Sequence, residues 1–174
     1  MLSPAEVKKL VKQSLELVPI GKGPKEIQNG KDFYKYMFTH YPNLRQYFKG
    51  AESFTADDVQ KSERSNKITS NKTSKDLFLR FDKQGQRILV GVYVLADTID
   101  DEPTFRAYSR EMVNKHRPFK MEPEYWSAFF TVWVNFLASR GSLTNEQKKA
   151  WEQLGKLFDE ECQSYLKALG LPHC

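Results

Sequence analysis

The apolar residues of this chain recur at intervals of three and four, and that spacing confines it to helices. After Ser3-Pro4, the residues Val7, Leu10, Val11, Leu15 and Val18 repeat in this way, giving one apolar face that can be buried. Ser3 suits the cap of that helix and Pro4 its first position, where a missing N–H costs no hydrogen bond. Residues 20–24, rich in glycine and proline, break the pattern. A second helix is expected over about 25–39 and must end before Pro42, because the residue ahead of a proline avoids the α region. Residues 42–48 read as a short helical turn opened by proline. Thr55, followed by Asp57 and Asp58, reads as the capped start of another. Residues 65–75 are polar and of low complexity, which predicts a surface loop. A long helix is expected from about Asp76 to Ala96, with Phe81, Gln84, Gly85, Ile88, Leu89, Val92 and Leu95 along one face. The aliphatic run 88–96 would also suit a buried strand, but its length and the helical pattern before it favour helix. Further helices are expected over about 103–116, 122–139 and 144–169, punctuated by Pro118 and Gly141-Ser142. No strand alternation stands out. The fold class is therefore all-α, with about eight helices of unequal length in one domain spanning 1–174.

Composition narrows the function classes. With 174 residues, 40% hydrophobic and 13% aromatic, the chain can bury one real core and is too apolar to be disordered. No apolar run approaches the roughly 20 residues of a membrane span, so no membrane partner is expected. Residues 1–6 carry no signal-peptide apolar segment, and cytoplasmic residence is the expectation. Two cysteines, Cys162 and Cys174, make neither a disulfide framework nor a zinc-ligand spacing and should be free thiols. The net charge of +5 comes from basic residues interleaved with acids rather than clustered, which argues against a nucleic-acid partner.

Three polar residues stand out against this background. His116 follows Phe105, Tyr108, Met112 and Val113 and projects near an apolar face. A histidine so placed is either a structural residue or a neutral imidazole ligand for a metal such as haem iron. No second histidine, cysteine or carboxylate lies at chelating spacing, so a metal here must bring its own equatorial ligands. Gln84 lies between Phe81 and Ile88 at helical spacing, and an amide turned inward costs desolvation unless it finds a partner. Tyr34 shares a face with Met37 and Phe38, and a buried phenol needs a hydrogen bond. Its packing and a functional role are both open from that position. Gly30 and Gly85 lie one turn or less from Tyr34 and Gln84. Glycine within a helix costs about 1 kcal/mol relative to alanine, so a pair of them suggests two backbones in close approach. Such a crossing would bring Tyr34 and Gln84 to one pocket.

The segment 29–50 (NGKDFYKYMFTHYPNLRQYFKG) resembles the globins, and most the nematode globins. The segments 51–63, 81–95 and 110–117 and the tryptophan-rich stretch after Pro123 extend the resemblance over nearly the whole chain. Pro42 and Phe48 fall where globins place the proline of the third helix and the phenylalanine that stacks on haem. His116 follows Gln84 at the spacing nematode globins keep between proximal and distal residues. The resemblance implies haem b as cofactor, His116 as the ligand of its iron, and Gln84 on the distal side, acting through the bound gas. It implies Tyr34 in the same distal pocket, as in nematode globins that hold oxygen tightly, and Ile88 as the apolar residue over the iron. Met112, Met121, Trp126 and Phe129 would line the cavity, with Arg87 and Lys120 meeting the propionates.

The departure is a polar insertion at about 65–80, where the family runs almost directly into the distal helix. Closure entropy rises slowly with loop length, so a surface loop of this size is tolerable. Leu77, Phe78 and Leu79 would either extend the distal helix or lie across its mouth. The function implied is an oxygen carrier or store of high affinity and slow release, taking O₂ and other diatomic gases, and not an enzyme. The alternatives are a globin enzyme, such as a nitric oxide dioxygenase or one with peroxidase-like side activity, and a haem-based gas or redox sensor. Apolar side chains on the distal and proximal helices leave room for a homodimer.

Overall fold

The computed structural model describes residues 1–48, 52–61 and 72–174. Among them are seven α-helices: α1 (Pro4–Leu15), α2 (Pro24–His40), α3 (Ala56–Lys61), α4 (Lys72–Thr98), α5 (Glu102–His116), α6 (Glu124–Arg140) and α7 (Asn145–Ala168). Two short 3₁₀ turns, Pro42–Tyr47 and Arg117–Phe119, follow α2 and α5. No strand occurs among the described residues, so the all-α class and the helical assignment of 88–96 both hold. Most of the polar stretch expected as a loop lies outside the described residues. Its last part does not: α4 begins at Lys72, four residues ahead of the expected start near Asp76, so residues 77–79 lengthen this helix.

The chain forms two compact units, one of 1–17 with 92–174 and one of 18–91, with α4 supplying residues to both. In the first, α7 packs against α1, α5 and α6. Its helices start as their sequences dictate. Ser3 and Glu6 form a reciprocal cap on α1, and Thr144 and Gln147 do the same on α7, each pair satisfying two donors that a helix start leaves orphaned. Asp101 caps α5, accepting from the Thr104 amide. The core between these helices is aromatic. Trp133 and Trp151 are fully buried, and Phe130 stacks on Trp151 with centroids 5.9 Å apart. The Trp151 indole donates to Ser14 Oγ at 2.8 Å, and that hydroxyl donates to the Val11 carbonyl at 2.7 Å, so the polar handle of a buried ring is satisfied. A Cβ at Gly155 would lie 2.9 Å from Phe130 Cβ. The glycine thus makes the hole that this phenylalanine fills.

The second unit holds α2, α3, the 42–47 turn and the first part of α4. Phe33, Phe38 and Val59 are fully buried there, and α3 and the 42–47 turn pack on α2. Pro42 opens the turn, and Arg45 reaches back to donate to the Phe38 carbonyl at 2.7 Å. That clamp sets where Phe48, the next residue after the turn, must lie.

Candidate functional site

The expected site residues fall into two sets, one in each unit. In the smaller unit, Tyr34 is buried on α2 at the centre of an aromatic cluster. Its ring meets those of Phe48 and Phe81 edge-on at 5.4 Å each, and that of Phe33 at 5.8 Å. Phe38 closes the cluster, 5.3 Å from Phe48 and 5.7 Å from Phe81. Edge-to-face contacts of this kind fix ring orientation as well as burying area. Residues 34, 48 and 81 come from three different elements, so the cluster is a tertiary feature.

Gln84 is the unusual member. Its Oε1 is buried with no hydrogen-bond partner among the described residues. An unbonded buried amide oxygen costs about 1–3 kcal/mol, and rotating the amide by half a turn exchanges oxygen for NH₂ with no change of shape. Such a group fits a site whose partner is a ligand. Ile88 is half-buried one turn further along α4, and Arg87 is exposed.

The expected helix crossing is present. A Cβ on Gly30 would fall 2.4 Å from the Gly85 carbonyl carbon, and one on Gly85 would fall 2.6 Å from that of Gly30. Only glycine at both positions allows the two backbones to meet. Beside this crossing lies a pair that the sequence pattern did not bring out. Lys31, fully buried, reaches Asp82 at 2.6 Å. The geometry is that of an ion pair in contact rather than an aligned hydrogen bond. The available signal was a lysine three residues before Tyr34, on the same apolar face of α2.

In the larger unit, His116 ends α5. Its Nδ1 lies 2.7 Å from the Met112 carbonyl, which selects the tautomer that donates from Nδ1 and leaves the lone pair on Nε2. Burial, the largest influence, holds its pKa below the ordinary 6.5; the Met112 contact works against this and the Lys115 charge with it. A neutral imidazole oriented by a carbonyl on its other nitrogen is the arrangement of a metal-ligating histidine. Trp126 is buried beside it, ring centroids 5.4 Å apart at 79°. Phe119, which sequence reasoning missed, stands 6.0 Å from the imidazole and is 45% exposed. Its signal was its place in the 3₁₀ turn directly after α5. Met112, Met121 and Phe129 are half-buried, and Lys120 is exposed. Lys120 carries a left-handed backbone, φ 48°, a strained state for a side-chain-bearing residue that turns the chain from α5 toward α6. Among the described residues no three His, Cys, Asp or Glu side chains group to hold a metal ion by themselves. A porphyrin supplies four equatorial nitrogens of its own and asks the protein for an axial ligand and apolar walls. Within the larger unit the imidazole of His116 suits such a ligand; within the smaller one the aromatic cluster about Tyr34 offers apolar surface.

An all-α chain with a histidine oriented in this way is of the class that can carry a haem, and comparison with known proteins gives the family. The globin family model matches residues 31–162, and this chain belongs to the globins. Myoglobin from Nippostrongylus brasiliensis is 47% identical over 169 residues, 97% of this chain and 99% of that one. The solved structure of a globin-like protein from C. elegans superposes with a TM-score of 0.88 at 45% identity, covering both chains fully. Membership of the family implies haem binding.

The relatives also correct one expectation. Cytoplasmic residence, read from residues 1–6, is overturned by relatives whose names place them elsewhere. A cuticular globin isoform of N. brasiliensis is 44% identical over 99% of this chain and 90% of its own length. An extracellular globin of Pseudoterranova decipiens is 35% identical over 99% of this chain and 47% of its own. The physical reason is that compartment leaves no imprint on a helical pattern, since the same apolar faces are buried wherever the chain resides. Cys162, buried, and Cys174, exposed, are both free thiols as expected. No helix among the described residues is long and apolar enough to cross a membrane.

Proposed function

We propose that this globin binds haem b and holds oxygen with high affinity and slow release. The observation that carries the reading is His116: a half-buried imidazole whose Nδ1–H is committed to Met112, leaving Nε2 to ligate iron. The haem, when bound, supplies the iron that takes a diatomic gas and shifts electron density onto it. The chain's own residues do the rest. His116 would provide the lone pair that ligates the iron, and its bond to Met112 holds the ring plane. Phe48, held in place by the Arg45 clamp, would stack on the porphyrin. Trp126, Met112, Met121, Phe129 and Ile88 would give it apolar walls. Arg87 and Lys120, both exposed, are assigned to the propionates.

Tyr34 and Gln84 donate to the gas. Hydrogen bonds to a charged acceptor contribute about 1.5–3 kcal/mol each, so two aligned donors slow release by roughly two to four powers of ten. The amide of Gln84 is free to present its NH₂, because its buried oxygen has no other partner. The test is an oxygen off-rate. The purified protein should show a Soret band, and Tyr34→Phe should release oxygen at least tenfold faster. An unchanged off-rate would remove Tyr34 from the mechanism, and rapid nitric oxide consumption with a reductant would move the function to an oxygen-using enzyme.

A further inference from the structure

The crossing of α2 and α4 poses a physical problem. Helices ordinarily fix their register by seating side chains of one between side chains of the other. At Gly30 and Gly85 neither helix has a side chain, and backbone faces backbone. A smooth contact of this kind permits sliding and rotation. Tyr34 and Gln84 lie on these two helices, within one turn of the two glycines, and any slide changes the spacing of the two donors.

We infer that the Lys31–Asp82 ion pair sets that register, and through it the alignment of Tyr34 and Gln84 on a small ligand. Lys31 follows Gly30 on α2 and precedes Tyr34 by three residues; Asp82 precedes Gly85 by three on α4. The pair therefore bridges the same two helices beside the crossing, at 2.6 Å, with the lysine side chain only 1% exposed. A buried ammonium is costly unless a partner stands against it, and the attraction is steep in distance where water is absent. A slide of the helices would lengthen this contact and weaken it. At the two glycines themselves packing resists such a slide weakly; Tyr34 and Phe38 meet Phe81 further along the same helices, and the ion pair adds a directional restraint beside the crossing. Lys31 and Asp82 are thus positioning residues, acting on the ligand through Tyr34 and Gln84 and touching nothing that reacts. A lysine otherwise gains nothing in this place, since an apolar side chain of its size would fill the same space without desolvating a charge.

The inference rests on the haem–oxygen reading above, and the experiment separates the two. Lys31→Met keeps the side-chain volume, and Asp82, 34% exposed, can then be hydrated, so the variant should fold. In the haem-loaded protein it should raise the oxygen off-rate about tenfold, the effect of weakening one distal hydrogen bond. It should also shift the stretching frequency of carbon monoxide used as a probe, which senses the donors directly. The off-rate effect should shrink, keeping only the part carried by Gln84, when Lys31→Met is made in a Tyr34→Phe background, because coupled residues depart from additivity. Asp82→Glu, which keeps the charge but moves it outward, should fold and give a smaller change in both readouts. If Tyr34→Phe speeds release but Lys31→Met leaves off-rate and probe frequency as in the parent, the pair has no positioning role. An equal effect of Lys31→Met with and without Tyr34 would likewise overturn the inference, as a general loosening of the fold. If Tyr34→Phe itself changes nothing, the functional reading fails first.

Discussion

Two glycine contacts in this molecule differ in a telling way. At Gly155 the missing side chain makes a hole, and Phe130 of α6 fills it. At Gly30 and Gly85 two missing side chains make a bare face on each helix, and each is occupied by the backbone of the other. The first contact interlocks; the second only permits approach. The surroundings follow suit. Near Gly155 the Trp151 indole is paired with Ser14. Around Gly30 and Gly85 lie a buried lysine and an amide oxygen without a partner. A region built to hold a ligand keeps some hydrogen-bonding capacity in reserve, and a device other than packing must then hold its geometry.

The largest effect that would break this division is expected at His116, the proposed iron ligand in the larger unit. His116→Ala should abolish stable haem retention on gel filtration while leaving the helical circular dichroism of the apoprotein in place. Full retention with an unchanged visible spectrum would contradict the ligand assignment. Next comes Trp151→Ala in the interlocked core. Removing a fully buried indole should cost about 3–5 kcal/mol, read as a loss of thermal and urea stability, with little change in the oxygen off-rate of whatever protein remains folded. A paired comparison sharpens the contrast further. Gly85→Ala must displace the Gly30 backbone and should cost about 2–3 kcal/mol, with faster oxygen release. Gly155→Ala meets a side chain and should cost less, about 1–2 kcal/mol, with release unchanged. Equal kinetic effects from the two alanines would erase the distinction between the regions.

The smallest effect concerns acid stability in the larger unit. Burial by itself would raise the Glu161 pKa, but hydrogen bonds from Arg106 at 2.7 Å and Arg110 at 2.5 Å outweigh it and hold the carboxyl below its ordinary 4.5. A carboxyl with a lowered folded pKa contributes stability above its unfolded value and loses that contribution as pH falls through the folded one. Stability should therefore decline from about pH 4.5 downward. In Glu161→Gln that part of the decline should be missing, at a cost near neutrality of about 1–2 kcal/mol, kept small by the exposure of Arg110. An identical acid profile for variant and parent would remove the pair from the account.

Much of this arrangement was legible before any coordinates. The spacing of Val7, Val11 and Leu15 marks α1, and Ser3 and Thr144 mark the starts of α1 and α7, because capping and burial of one helix face act within a few residues. The intervals among Tyr34, Pro42, Phe48, Gln84 and His116 identified the pocket by resemblance. The start of α4 was misplaced because Lys72 to Lys75 are polar and lack the apolar repeat that reveals a helix. Phe119 was missed because a single aromatic residue in a turn carries no periodicity at all.

What the sequence determined by itself is the set of helices, their apolar faces, and which residues on them are chemically out of place. Those properties follow from local backbone preference and from the period of side-chain burial. The tertiary structure alone decided three things: that Lys31 is buried against Asp82, that His116 commits Nδ1 to a carbonyl, and that Gln84 has an amide oxygen left over. Each depends on where a side chain meets atoms from another turn or another helix. No local preference encodes such a meeting, because its energy exists only once the chain has packed.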